Sequence, residues 1–387
     1  MSVHPTSIDS PAAPHTTNRK YLRQLDGIRA VAVLSVVLFH TKVPFFANGY
    51  IGVDVFFVLS GYLITGILLD EFDRTDRIAF GRFYLRRALR LLPALLFLAL
   101  ALVTAYALLL PPEERRESLL PVLAAVGYAT SPLAASGMDL GSMLHAWSLS
   151  VEEYFYFVLP VVLLIAVRAF GRRRILTVLA VITLTAIAYR FAVAWTDWST
   201  QRIYYAADTR AEQLLIGCLL AALLKDRAVR VPGAVAGCAA ITLAGFVTAP
   251  AGTMTEVYRY GGSTVVALSS AAIIAYVATI GASPATRILA TAPLWWIGVR
   301  SYAIYLWHPP VAALLARVAP DQLPVAPTVL VATLIIAGLS YRFIETPFLR
   351  LKDPRPTASV RHATGDTGTA GHTARPSGPH SSQTDTT

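Results

Sequence analysis

The sequence predicts an all-α integral membrane protein: a bundle of about ten transmembrane helices with both termini cytoplasmic. Three observations predict it. Of 387 residues, 55% are hydrophobic and only 14% charged, against about 25% charged in an ordinary soluble domain. Apolar runs near the roughly 20 residues that cross a bilayer recur along most of the chain. The basic residues gather in alternate loops, as cytoplasmic loops do. The net charge of +10 belongs to that asymmetry, so nucleic-acid binding is a poor reading of it. No apolar h-region occupies the first twenty residues, and no cleavable signal peptide is expected.

Residues 1–20 are polar and expected to be disordered. The transmembrane domain occupies 21–350. Its spans are expected at 25–43, 49–70, 90–110, 145–167, 175–195, 209–224, 231–249, 262–280, 296–317 and 326–345. The apolar stretch 118–133 is short and broken by Pro121 and Pro132, which suits a re-entrant or interfacial segment. Arginines crowd the loop after the second span (Arg74, Arg77, Arg82, Arg86, Arg87). They recur after the fourth (Arg168, Arg172, Arg173, Arg174), the sixth (Arg227, Arg230, with Lys225) and the tenth (Arg350, Arg355). Residues 351–387 form a polar tail rich in Thr, Ser, Gly and Pro, too hydrophilic to bury a core and expected to be disordered. His362, His372 and His380 lie in it and are read as solvated. Cys218 and Cys238 both fall in spans, so neither a disulfide framework nor a zinc pattern exists, and no metal is expected.

Ionisable residues inside a bilayer are expensive and mark sites. Arg29 and His40 stand eleven apart in the first span. Eleven steps of a helix return to nearly the same face about 16 Å further along. Arg29 is a permanent cation, and His40 can move protons near neutral pH. Asp54 lies in the outer third of the second span, with Ser60 deeper. His145, Glu152 and Glu153 start the fourth, and Asp208, Arg210 and Glu212 start the sixth. A histidine near carboxylates has what base-assisted chemistry needs. His308, before Pro309 and Pro310, suits a structural role at a kink as well as a ligand role. Arg86, Arg87 and Arg90 cluster at the cytoplasmic start of the third span. Such forks suit phosphate, although topology alone also accounts for them. A GxSxG elbow, a Walker loop, a dinucleotide glycine motif and HExxH are all missing, so classical hydrolase, nucleotidase and zinc-protease readings lack support.

Seven motifs in order carry a resemblance. They are LDGIRAVAVLSVVLFH (25–40), GYIGVDVFFVLSGYLIT (49–65), FYLRRALRLLP (83–93), HAWSLSVEEYFYFVLP (145–160), DTRAEQLLIG (208–217), IGVRSYAIYLWHPP (297–310) and FIETP (343–347). Together they resemble the acyltransferase-3 family of membrane O-acyltransferases. The resemblance implies transfer of an acyl group, often acetyl, from acyl-CoA to a hydroxyl of a sugar-bearing or macrolide-type acceptor. Acyl-CoA is then a co-substrate, and no cofactor is bound permanently. The family's arginine–ten–histidine motif falls on Arg29 and His40, and its Arg-x-x-Arg motif on Arg87 and Arg90. Its second-span aspartate falls on Asp54 and its fourth-span glutamate on Glu152. Arg29, Arg86, Arg87 and Arg90 would hold the donor phosphates. His40 would be general base, oriented by Asp54 or Glu152, with a covalent acyl-His40 as the alternative route.

Many family members carry a C-terminal hydrolase-like extracytoplasmic domain. Only a short tail follows Lys352, which points to a stand-alone member and tilts the expected acceptor toward a macrolide, with envelope glycan close behind. A transporter or flippase, or a carrier that supplies acyl groups to a separate transferase, is the alternative from another class. The halves 25–195 and 209–345 show no convincing similarity, which counts against transport. The expected location is a bacterial cell membrane. A topology reporter fused after Thr387 is expected to give a cytoplasmic signal; an extracytoplasmic one overturns the layout.

Overall fold

In a computed structural model, the described residues are 21–318 and 325–351. The disordered segments expected at 1–20 and beyond Leu351 lie outside them. Every regular element among the described residues is helical. In chain order the α-helices are α1 (Arg23–His40), α2 (Gly52–Thr75), α3 (Phe80–Leu109), α4 (Pro112–Val126), α5 (Thr130–Ala135) and α6 (Trp147–Phe170). Then come α7 (Ile175–Ala194), α8 (Thr200–Tyr205), α9 (Ala207–Asp226), α10 (Gly233–Thr248), α11 (Thr253–Val257) and α12 (Ser263–Thr279). The last are α13 (Pro284–Leu289), α14 (Ala292–Val299), α15 (Ser301–Val318), α16 (Val325–Ser340) and α17 (Thr346–Arg350).

Each of the ten expected spans falls on a helix. Six helical stretches are long and apolar enough to cross a bilayer: Gly49–Thr75, Phe80–Leu109, Gly141–Phe170, Arg172–Ala194, Thr255–Thr279 and Ala326–Arg350. Helix α10 is apolar but shorter, at 16 residues. The stretch 118–133 is split between α4, of 15 residues, and α5, of six. Neither reaches the length of a span. The surface agrees with a membrane setting. Leu100, Ile165, Leu184 and Ile241 are 61–74% exposed. Apolar side chains so open to water would be a liability in a soluble protein.

Helix α1 runs through the middle of the bundle. Ala30, Val33, Val36 and Val37 are buried, and α2, α12, α13, α14 and α15 all pack around it. Helices α2 and α9 meet more intimately. A Cβ on Gly61 would collide with the backbone carbonyl of Leu214, and one on Gly217 with that of Val58. In lipid, without a hydrophobic force between helices, such small-residue contacts supply the packing.

The same two helices are joined by charge. Asp54 of α2 and Arg210 of α9 are both fully buried and paired at 2.9 Å. Tyr258 donates to both carboxylate oxygens, at 2.8 and 3.0 Å. The Arg210 guanidinium lies 5.0–5.7 Å from the ring centres of Phe57, Trp147, Tyr204 and Tyr258. Those faces favour a cation. Tyr258 sits on a widened helical turn, Tyr258–Gly262, where Gly261 adopts φ 128°. This conformation suits glycine, and the widened turn interrupts regular carbonyl pairing. Arg190 of α7 serves the carbonyls there, donating to Arg259 O at 3.0 Å and Tyr258 O at 3.4 Å. At the far end of α2 and α9, Arg172 bridges Asp73 (2.7 Å) and Asp226 (2.8 Å), and Lys225 pairs with Asp70. Part of the arginine-rich loop charge is thereby neutralised.

Two stability outcomes follow from this core. Gly217→Val should cost more than 1–3 kcal/mol, the usual range for overpacking, since a backbone carbonyl cannot step aside; a wild-type melting temperature in detergent would contradict the close approach. Arg210→Met should cost about 3–5 kcal/mol, because Asp54 is left as an unpaired buried charge. Adding Asp54→Leu should recover much of that loss, and the double-mutant cycle in thermal unfolding reads the coupling.

Candidate active site

Two cavities meet at the centre of the bundle. One, of about 350 Å³, is lined by His40, His145, Tyr50, Tyr204, Arg190 and Arg259 among others. The second, of about 160 Å³, is lined by Arg29, Arg87, Arg90, Ser60, Glu152 and Tyr156 among others. Val53 and Tyr305 line both. We call them the histidine chamber and the arginine chamber. Helix α1 serves the two at once, with Arg29 in one and His40 in the other, as the eleven-residue spacing requires of a straight helix.

The histidine chamber is lined by His40 and His145, and the third histidine of the membrane region, His308, packs against both. His40 closes α1 and is exposed to the chamber, whereas His145 and His308 are buried. The His40 ring centre lies 4.9 Å from that of His308, and His145 lies 5.6 Å from His308. His40 Nδ1 is 2.9 Å from Val36 O and 3.1 Å from His308 Nε2. His308 Nδ1 is 2.8 Å from Tyr305 O. His145 Nδ1 is 3.0 Å from Ser142 O, and its Nε2 is buried without a partner. The Tyr305 hydroxyl donates to His145 O at 2.8 Å and lies 2.7 Å from Ser148 Oγ, so α15 is pinned to the start of α6.

The arginine chamber gathers three cations around one carboxylate. Ser60 donates to Glu152 at 2.8 Å. Arg87 lies 4.3 Å above the Tyr156 ring centre. Arg29 pairs with Asp26 at 3.5 Å, and its buried Nε has no partner. Guanidinium groups so placed offer several N–H donors to an anion in a site walled by aromatic rings.

The structure separates some residues that the sequence reading grouped. Of the four arginines expected at the donor, Arg29, Arg87 and Arg90 line the arginine chamber. Arg86 is exposed and lines neither chamber. Helical geometry explains it: residues adjacent in sequence point about 100° apart. Neither Asp54 nor Glu152 orients His40. Asp54 is committed to Arg210 and Tyr258, and lines neither chamber. Glu152 is in the arginine chamber, bonded to Ser60. The side chain that does meet His40 is His308, which the sequence left open between a structural role at a kink and a ligand role. Two further residues escaped notice: Tyr305, shared by both chambers, and Tyr258, the partner of Asp54. The signal for His308 was present in the Pro309–Pro310 step that follows it.

A family model described as Acyltransferase domain matches residues 22–342. The chain is 33% identical over 349 residues to O-acetyltransferase OatA of Staphylococcus aureus (strain NCTC 8325 / PS 47), covering 85% of this chain and 57% of that protein. It is 33% identical over 355 residues to Peptidoglycan O-acetyltransferase OatA of Listeria monocytogenes, covering 85% and 56% respectively. To Putative peptidoglycan O-acetyltransferase YrhL of Bacillus subtilis it is 33% identical over 352 residues, covering 86% and 55%. The matched stretch thus spans little more than half the length of these relatives. No solved structure matches. With six bilayer-length apolar helices and a match across nearly all of the helical bundle, this multi-pass membrane protein belongs to the acyltransferase domain family.

Proposed function

We propose that the chain is an O-acyltransferase that moves a short acyl group, acetyl first among them, from acyl-CoA to a hydroxyl of a cell-wall glycan. The observation that carries the reading is the pair of chambers sharing Val53 and Tyr305, one cationic and one holding histidines. Coenzyme A is an anion with several phosphates on one end and a thioester on the other. Arg29, Arg87 and Arg90 supply the donors for the phosphate end. The extended arm then runs along α1, and the roughly 16 Å between Arg29 and His40 sets its reach. Glu152 lines the same chamber as these cations. It offsets one of their three positive charges, and its hydrogen bond from Ser60 fixes where it sits.

In the histidine chamber the acceptor hydroxyl gives its proton to His40 as its oxygen attacks the thioester carbon. The new C–O bond forms, the C–S bond breaks, and the departing thiolate takes the proton back from His40. A positioned base of this kind contributes about 10²–10⁴-fold to such a step. A glycan is favoured as acceptor over the macrolide class because three relatives that share the domain are named O-acetyltransferases, two of them for peptidoglycan. Asp54 is assigned the ion pair that holds the chamber's aromatic wall and is not given a part in the chemistry.

Purified protein in detergent, with labelled acetyl-CoA and soluble peptidoglycan fragments, tests the assignment. His40→Ala should lower transfer by at least about 100-fold, with donor binding retained. Arg90→Ala should weaken donor binding by about 10–100-fold, the worth of a charged hydrogen bond. Donor that is neither bound nor consumed by wild type would remove acyl-CoA from the reading. Label that enters the lumen of proteoliposomes without joining the acceptor would favour the carrier alternative.

A further inference from the structure

We propose that His308 is the positioning residue of His40, holding its ring and, together with the Val36 carbonyl, the tautomer in which the His40 Nε2 lone pair is free to act as base. The inference rests on the reading of His40 as general base and adds the group that makes it one. It begins with Pro309. In an α-helix the carbonyl of residue 305 accepts from the N–H of residue 309, and proline has no N–H. The Tyr305 carbonyl is therefore released, and the His308 ring answers it, with Nδ1 at 2.8 Å from Tyr305 O and 3.3 Å from Ile304 O. A carbonyl oxygen accepts and cannot donate, so His308 Nδ1 must carry the proton. In the neutral ring, Nε2 is then an acceptor.

That acceptor faces His40 Nδ1 at 3.1 Å. His40 Nδ1 also faces the Val36 carbonyl at 2.9 Å. Both neighbours accept, so His40 Nδ1 must donate, and its lone pair is left on Nε2. The reverse assignment would set two ring lone pairs against three carbonyls. Among the described residues, His40's hydrogen bonds go to Val36 and His308. The other ionisable groups on the chamber wall are His145, Arg190, Arg259 and five tyrosines. The arrangement is that of a catalytic triad in which an imidazole stands where a carboxylate would orient the base. When His40 takes the acceptor proton at Nε2, its Nδ1–H bond to His308 becomes charge-assisted and strengthens. When the leaving group reclaims that proton, the pair returns to its neutral state.

The test has one arm that does not depend on acyl transfer. Diethyl pyrocarbonate carbethoxylates an unprotonated imidazole nitrogen, and peptide mass spectrometry reads the extent at His40. In His308→Leu the rate at His40 should fall by about fivefold, the scale of one lost hydrogen bond, and the midpoint of its pH dependence should move to lower pH. His308→Gln, whose amide oxygen can replace Nε2 as acceptor, should recover the rate to within about twofold and restore the midpoint. In the transfer assay His308→Leu should lose kcat by about 10–100-fold with little change in the donor KM, as expected for loss of an orienting contact. Wild-type labelling and an unchanged midpoint in His308→Leu would overturn the dyad. So would a His308→Gln protein as poorly labelled as His308→Leu. If His308→Leu fails to yield monodisperse protein, the comparison of His308→Gln with wild type decides, and a loss above about fivefold rejects the assignment. Labelling that follows the expected order in a wild type that transfers nothing would sink the acyl-transfer reading and leave the dyad in place.

Discussion

Every polar group carried into the hydrocarbon core must find its partner inside the protein, because no water is there to serve it. The centre of this bundle is organised by that constraint. Asp54 and Arg210 are both fully buried, and each is tolerable only because of the other. Tyr258 completes the carboxylate's shell. Its placement needs the widened turn at Tyr258–Gly262, and that turn is held by Arg190. One buried charge pair thus fixes the relation of α2, α9 and the head of α12, with α7 drawn in through Arg190. The aromatic wall of the histidine chamber is built on the same cation, since Trp147, Tyr204 and Tyr258 all pack over Arg210.

Helix α1 then acts as a ruler across that core. Its buried aliphatic face, Val33 with Val36 and Val37, seats it against its neighbours. A straight helix converts a spacing of eleven residues into a fixed distance and a shared face. Arg29 and His40 are therefore tied to different chambers by geometry that no loop can relax. Rigid elements place reacting groups more reliably than loops do. The proposed acyl-CoA donor, with its charge at one end and its thioester at the other, would need such a fixed separation.

The sequence carried more of the fold than of the site. Apolar length and alternating loop arginines located helices at all ten expected spans. The Arg29–His40 spacing was legible as a shared face and a separation of about 16 Å, because a helix repeat is local and strictly periodic. Pairings between helices were not legible in the same way. Asp54 meets Arg210 across 156 residues of chain, and nothing in GVDVFFVLSGY says which distant cation answers its carboxylate. Proximity in sequence misled for Arg86, which shares a motif with Arg87 but not a face. His308 lies between these cases. Its contact with His40 spans 268 residues and was hidden, yet the local part of its role was readable: a proline one position on releases the carbonyl that fixes its ring.

That local detail bears on why a histidine, and not Asp54 or Glu152, stands behind His40. A carboxylate beside the base would add a permanent charge to a chamber lined mostly by rings and aliphatic side chains, at a desolvation cost that another cation would have to offset. Asp54 shows the size of that demand: it consumes an arginine and a tyrosine and lines neither chamber. A neutral imidazole orients His40 through the same single hydrogen bond and needs only a backbone carbonyl to orient itself. In the proposed mechanism the His40–His308 pair is then neutral at rest, and a positive charge develops on His40 only while the acceptor proton is in transit. The weaker support that a neutral partner gives to that transient charge is the corresponding cost. In the proposed acyl transfer that cost is small, because the thiolate leaving group removes the proton within the same passage.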